Sequence, residues 1–141
     1  MSFARRLRNV LLVFIAVTIV GAALILVPLW TGPSLPAGAT RLHIETGDPG
    51  PAFGCQAALL SPVRVATSGD EVILISVESG NPIPVRWPGG HASWRLDGSA
   101  VVADPYGRIV AREGQVRDDF SGGDGVDDRF NICGLGLTDR P

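Results

Sequence analysis

Five aspartates fall within a short segment near the end of the chain, and this density of carboxylates is the first candidate for chemistry. They are Asp118, Asp119, Asp124, Asp127 and Asp128. Three glycines lie among them, and calcium binds carboxylates together with backbone carbonyls of such loops. The run from Gly122 to Asp127 matches the start of a glycine-rich calcium-binding repeat, but Arg129 follows where that repeat has an apolar residue. The segment predicts a calcium site or, as the alternative, a solvated acidic hairpin loop.

The two histidines are the next candidates. His43 lies in a predicted strand, in phase with the polar residues Arg41 and Glu45, and this phase predicts an exposed side chain. His91 follows two glycines in a predicted turn, where an imidazole could be exposed and reactive. Catalysis would also need a nucleophile and an orienting carboxylate nearby, and the chain has no G-x-S-x-G or related signature. We therefore predict no catalytic residue and no cofactor.

Two tryptophans flank the predicted turn at residues 88–90. Trp87 and Trp94 could form an exposed aromatic surface that stacks on a sugar or a peptide. The alternative is that one packs in the core and the other covers it, which is the more frequent use of such pairs. The sequence leaves both possibilities open.

An uncharged apolar segment comes before all of these candidates. It runs from Val10 to Val27, and Leu29 and Trp30 extend it past Pro28. About 20 residues of helix span the hydrocarbon core of a bilayer, which is about 30 Å thick. Trp30 stands where an aromatic interface anchor belongs, and Pro28 should help to end the helix. Residues 10–30 are therefore predicted to be a transmembrane signal-anchor helix.

The charges around this helix predict its orientation. Arg5, Arg6 and Arg8 precede the apolar run, and the next basic residue is Arg41. By the positive-inside rule, residues 1–9 form a cytoplasmic N-terminus and the chain from Thr31 onward lies outside. The alternative is a cleaved signal peptide, with a small-x-small site at residues 37–39. Both interpretations export the remainder of the chain.

The composition of the remainder limits its partners. From Thr31 onward there are nine arginines and fourteen carboxylates, so this part is acidic and a nucleic-acid partner is excluded. All twelve basic residues are arginine, which, with the bias toward Ala, Gly, Val and Pro, indicates a high-GC bacterial coding habit. Residues 31–40 contain two prolines, two glycines and no charge until Arg41, which predicts a flexible linker that holds the domain off the bilayer.

Residues 41–141 are predicted to form an all-β extracytoplasmic domain. Short apolar runs alternate with turn signals every eight to twelve residues, which is typical of a small barrel or, as the second choice, a sandwich. The strongest predicted strand is Glu71–Val77, whereas the prolines of 79–84 exclude a central strand. Asp104-Pro105-Tyr106-Gly107 between two Val-rich runs predicts a type I turn within a hairpin.

Cys55 and Cys133 are the two cysteines of the chain. In an exported domain such a pair is oxidised, so we predict a disulfide between them. The chain-entropy model assigns the closure of such a long loop roughly 4.5 kcal/mol. The spacing does not fit a C-x-x-C redox motif.

Several motifs follow one another between Val85 and Cys133. A strand ends in Trp-Pro-x-Gly at 87–90, Asp-x-x-Gly and Val-Ala-Arg-x-Gly occupy 104–114, and a glycine pair at 122–123 precedes Cys133. This order resembles a small exported bacterial domain of unknown function. The resemblance covers about a third of the chain. It implies a compact β-barrel at the cell surface, anchored by a lipid or a helix, and implies no activity.

These observations predict a single-pass protein of the bacterial cytoplasmic membrane, with its N-terminus inside and its C-terminal domain outside. The predicted function is a binding or accessory module of the cell envelope. Its expected partners are the lipid bilayer, through residues 10–30, and a membrane or cell-wall protein. A calcium-binding β domain that uses the loop at 118–128 is one alternative, and a small exported enzyme is another.

Overall fold

The apolar N-terminal run forms one long helix in the computed structural model, which describes residues 3–48, 58–125 and 127–135. Helix α1 extends from Phe3 to Thr31, and none of its side chains is buried. Its 29 residues are long and apolar enough to cross a membrane. The predicted helix is confirmed, although it begins before Val10.

Helix α1 ends at a glycine rather than at the proline. Pro28 lies inside the helix, and its missing N–H leaves the carbonyl of Leu24 without its helical donor. The helix continues to Thr31, after which Gly32 adopts a φ of 70°. Gly32 donates its N–H to the Pro28 carbonyl oxygen at 2.9 Å, which is the single bond of an αL C-cap. Gly32 therefore ends the helix and turns the chain toward the β domain.

The rest of the described chain forms twelve strands, each two to six residues long. They are β1 (Thr40–Leu42), β2 (Ala58–Leu59), β3 (Val63–Ser68), β4 (Glu71–Ser76), β5 (Pro82–Ile83), β6 (Val85–Arg86), β7 (Ala92–Leu96), β8 (Ser99–Ala103), β9 (Ile109–Arg112), β10 (Val116–Arg117), β11 (Phe120–Asp124) and β12 (Phe130–Leu135).

These strands form three four-stranded sheets, in the orders β1-β7-β8-β9, β10-β3-β4-β5 and β2-β11-β12-β6. The predicted all-β domain after one N-terminal helix is confirmed. Within the described residues the sheets do not close into one barrel, because no continuous ladder of hydrogen bonds joins them. A single bridge between His43 and Glu71 links the first sheet to the second.

The turn signals of the sequence mark observed hairpins. Gly107 donates its N–H to the Asp104 carbonyl oxygen at 2.9 Å between β8 and β9, as a type I turn requires. The predicted strand Glu71–Val77 corresponds to β4, which pairs with β3 along its whole length. Pro82 lies in β5 at the edge of that sheet, where a missing N–H costs no ladder hydrogen bond.

The main core contains side chains from all three sheets. Its buried members are Leu42, Val63, Val65, Val72, Leu74, Val85, Trp87, Ala100, Val102, Ala111, Phe120 and Ile132. Trp87 and Phe120 pack edge to face, with ring centroids 5.6 Å apart. Because Phe120 belongs to β11, the segment that the sequence marks as an acidic loop supplies part of the core.

A smaller core covers the opposite face of the first sheet, since side chains alternate between the two faces of a strand. It contains Ala92, Trp94, Val101 and Ala103, and Ala39 and Ile109 pack against it. Ala39 belongs to the predicted linker. The end of that linker therefore lies on the domain.

Candidate functional site

The acidic hairpin, residues 117–130, is largely strand rather than flexible loop. Its glycines 122 and 123 are buried in β11, which pairs with β12 through a bulge after Ser121. A Cβ on Gly122 would overlap the carbonyl oxygen of Asn131 and approach the Phe130 ring at 2.9 Å. The glycine therefore permits close packing of the hairpin, and the calcium site at 118–128 stays a prediction.

Two of the five aspartates are paired with arginines. Asp119 accepts hydrogen bonds from Nε and Nη2 of the buried Arg117, both at 2.6 Å. Asp127 accepts one from Nη2 of Arg86, and its carboxylate lies 3.7 Å from Nε of Arg129. The other three aspartates, Asp118, Asp124 and Asp128, are exposed.

Glu45 completes a ring of four charges with this hairpin. Its carboxylate lies 3.2 Å from Arg86 Nη2 and 3.3 Å from Arg129 Nη1. Hydrogen bonds with Glu45 first, and with Asp127 second, raise the pKa of Arg86. The ring has two positive and two negative charges, so its net charge is zero. Within the described residues there is no group of three or more His, Cys, Asp or Glu side chains that could hold a metal.

The buried Arg117 stabilises the base of the acidic hairpin. Its guanidinium lies over the Phe120 ring, with Cζ 4.9 Å from the centroid. Its Nη1 donates a hydrogen bond to the Val110 carbonyl oxygen. A cation stacked on an aromatic ring and bonded to a carboxylate is a packing element here.

Both candidate tryptophans are buried, so they do not form the exposed aromatic surface. Trp87 is 1% exposed in the main core, and Trp94 is 4% exposed in the smaller core. The turn at 88–90 separates them along the chain, and they belong to different cores. Both tryptophans therefore pack in the interior, but in separate cores rather than with one covering the other.

The two histidines differ in exposure. His43 is exposed, as predicted. His91 is half-buried rather than exposed, and neither ring nitrogen forms a hydrogen bond with a described residue. Burial lowers the pKa of His91, while the nearby carbonyls of Gly89 and Pro88 and the charge of Asp104 oppose this effect. Burial therefore favours the neutral form of the imidazole.

Cys133 lies half-buried in β12. Cys55 lies outside the described residues, so the disulfide stays a prediction.

The helix and the domain meet at a junction, formed by residues 25–33 with the turns at 88–91 and 104–107. A Cβ on Gly90 would lie 2.8 Å from the Leu29 carbonyl oxygen and 3.0 Å from the Pro105 side chain. A Cβ on Gly32 would lie 3.0 Å from the Gly90 carbonyl oxygen. The end of α1 is therefore in direct backbone contact with the domain.

A tyrosine joins the second turn of the junction to the helix. The Tyr106 hydroxyl donates a hydrogen bond to the Ile25 carbonyl oxygen at 2.8 Å. The turn that presents Tyr106 is fixed by Asp104, whose Oδ1 accepts the N–H groups of Tyr106 and Arg108, both at 2.9 Å. Asp104 also binds Nε of Arg108 at 2.7 Å.

An open cavity of about 230 Å³ lies at the junction. Residues on its helix side include Trp30, Thr31 and Pro33, and residues on its domain side include Thr46, His91 and Ala92. No arginine or carboxylate lines it within the described chain. Its polar groups include the Thr31 and Thr46 hydroxyls, the His91 imidazole and backbone groups.

Sequence reasoning missed the junction because its residues are individually unremarkable. Gly90 and Tyr106 belong to ordinary turn motifs, and neither motif indicates that a helix lies next to it. The positive φ of Gly90, 78°, fits its turn. Its second role, contact with Leu29, depends on the fold.

No protein-family model, no curated protein and no solved structure matches this chain.

Proposed function

We propose that this protein is a membrane-anchored module of the bacterial cell envelope, whose β domain lies outside the cytoplasmic membrane and binds or assists another envelope component. The observation that carries the proposal is the exposure of α1. None of its side chains is buried, and the apolar side chains of residues 10–27 are exposed within the described chain. Lipid is the solvent that suits such a surface.

The distribution of arginines supports the proposed orientation. Three arginines lie in the first turns of α1 and none in its last turns. This asymmetry retains the N-terminal end in the cytoplasm and exports the end that continues into the domain.

The proposed compartment also supports the disulfide between Cys55 and Cys133, because exported domains are oxidised. The order of motifs from Val85 to Cys133, which resembles small exported bacterial domains, supports the same location. The test is to alkylate the cysteines of the unfolded protein and to measure its mass. Addition of two labels only after reduction would agree with the disulfide, and labelling without reduction would contradict it.

The calcium alternative is less well supported, because Asp119 and Asp127 are paired with arginines and Gly122 is packed. We therefore expect no binding heat when the full-length protein is titrated with millimolar calcium. For the enzyme alternative, the described residues that line the junction cavity include no arginine or carboxylate.

Topology and partner are tested in two steps. Reporter fusions after residue 135 and at the N-terminus should give an active periplasmic phosphatase only at the first position. Chemical cross-linking of the tagged full chain in its native membrane should then capture one reproducible envelope protein. Phosphatase activity at the N-terminal position would contradict the orientation, and no captured protein above background would contradict the accessory function.

A further inference from the structure

We propose that the β domain rests directly on the bilayer crossed by α1, with the Tyr106 ring at the outer edge of the hydrocarbon core, Trp30 in the headgroup layer and Arg108 at the lipid phosphates. This inference rests on the proposed membrane anchor and adds where the domain lies relative to the lipid. It differs from the sequence-based expectation of a linker that holds the domain away from the membrane.

The first argument is the position along the helix at which the domain makes contact. The Tyr106 hydroxyl binds the carbonyl of Ile25, whereas α1 ends at Thr31. At 1.5 Å per residue, this contact lies about 9 Å closer to the membrane centre than the helix end. The turn at 104–107 therefore lies beside the last turns of the helix and not beyond them.

The second argument is the length of the apolar run. A hydrocarbon core needs about 20 residues of helix, and counting from Val10 brings its outer edge close to Leu29. Ile25 lies within this span, so the ring that binds its carbonyl must meet lipid. Tyr106 suits this place, because its apolar ring can face lipid while its hydroxyl is satisfied by the helix backbone.

The exposed side chains at the junction are those of a membrane interface. Trp30 is 63% exposed and Tyr106 is 49% exposed, and both residue types concentrate at headgroup level. The side chain of Arg108 is 68% exposed, although its Nε binds Asp104. Its remaining guanidinium donors can reach a phosphate.

The third argument is that the junction is too close to act as a spacer. Gly90 lies against the Leu29 backbone with no room for a Cβ, and Ala39 of the linker packs on the smaller core. Asp104 fixes the turn that carries Tyr106. The domain therefore follows the helix as one unit, at a fixed height above the hydrocarbon.

Tyr106 is the single tyrosine of the chain, so 3-fluorotyrosine gives one fluorine NMR signal. We would place the labelled full-length protein in nanodiscs of phosphatidylcholine and phosphatidylglycerol. Line broadening would be compared between a lipid with a nitroxide near the headgroup and a water-soluble gadolinium chelate. We expect the lipid label to broaden the signal at least threefold more than the chelate does. The reverse order would overturn the proposal.

A matched pair of variants tests the role of the junction. Gly90→Ala and Gly98→Ala both replace a glycine with positive φ, 78° and 81°, but only Gly90 contacts the helix. We expect Gly90→Ala to lose at least half of the broadening by the lipid label and Gly98→Ala to retain it. Equal retention in both variants would show that the helix contact does not position the domain. If Gly90→Ala fails to fold, the comparison of the lipid label with the aqueous chelate in the wild-type protein still tests whether the domain rests on the bilayer.

Flotation with vesicles after carbonate extraction separates the two proposals. A chain that does not float has no membrane anchor, and the proposed function itself then fails. If the chain floats but the aqueous chelate broadens the Tyr106 fluorine signal more than the lipid label does, the helix is a membrane anchor and the domain does not rest on the bilayer.

Discussion

The acidic hairpin and the junction differ in how many charged residues they contain and in the interactions that stabilise them. The hairpin has the highest density of ionisable residues in the chain, and two of its five aspartates are used internally, in pairs with arginines. The junction is held mainly by contacts of Gly90 and by one hydrogen bond from Tyr106. In the acidic hairpin, charged residues of types often found in active sites therefore stabilise the fold. At the junction, ordinary turn residues connect the helix to the β domain.

The largest expected effect tests whether the acidic hairpin is a packed element. Gly122→Ala would force a Cβ onto the Asn131 carbonyl, so we expect a loss of about 2–3 kcal/mol in the free energy of unfolding. Gly47→Ala is the control, because its nearest contact would be an ordinary 3.8 Å. Urea unfolding of the full chain in detergent measures both. Equal stability of the two variants would mean that the hairpin is a loose loop.

The next effect concerns the ring of charges around Arg86. Arg86→Gln removes one of the two cations that Glu45 and Asp127 share and leaves Arg129 as the other. The unfolding temperature should fall by a few degrees. The effect should shrink in 1 M salt, because these side chains are partly exposed and their interactions are screened. Arg64→Gln, at an exposed position in β3, is the control. A salt-independent loss would point to packing rather than charge.

A smaller effect is expected at the junction. Tyr106→Phe keeps the ring and removes the hydroxyl that binds the Ile25 carbonyl. Hydrogen bonds of this kind near lipid average about 0.6 kcal/mol, so thermal unfolding in nanodiscs should shift only slightly. This variant has no tyrosine to label with fluorine, so we would measure limited proteolysis of the linker instead and expect faster cleavage than in the wild type. Unchanged cleavage would argue that the hydroxyl does not hold the linker in place.

The smallest effect is a pH dependence at the junction. Burial lowers the pKa of His91, so as the pH falls below about 6.5 the unfolded chain takes up the proton before the folded chain does. Stability that is present above this pH is therefore lost as the pH falls through the lower pKa of the folded state. Asp104 is the charged group that acts on the imidazole and weakens the effect.

His91→Gln should reduce the difference in unfolding temperature between pH 7.5 and pH 5.5. His43→Gln, which replaces the exposed histidine, is the matched control. A pH dependence that persists in His91→Gln would assign it to the carboxylates.

The class of fold and several of its elements could be predicted because their signals are local. An uncharged apolar run of membrane length gives α1, and an Asp-Pro-Tyr-Gly sequence between Val-rich runs gives the β8–β9 hairpin. The edge position of Pro82 follows from its missing N–H. Each of these features depends on residues that are neighbours along the chain.

The candidate sites could not be predicted in the same way, because their roles depend on residues that are distant in sequence. In the sequence, Gly122 suggests a flexible loop, but in the fold Asn131 lies opposite it and leaves no room for a Cβ. Trp87 suggests a stacking surface, but in the fold it packs edge to face with Phe120. From the sequence Asp127 could be a free ligand, but in the fold Arg86 and Arg129 lie beside its carboxylate. The sequence contains these residues, but only the topology brings them together.

The place of β12 within its sheet has a consequence for biogenesis. It lies between β11 and β6 and pairs with β6 in parallel, and its Ile132 belongs to the main core. If the domain is exported as we propose, it emerges in the order of its sequence, so the core stays incomplete until residue 135 has emerged. Until then, Val85 and Phe120 remain open to solvent or to a chaperone, and the partly translocated domain is at its most vulnerable to proteases and aggregation.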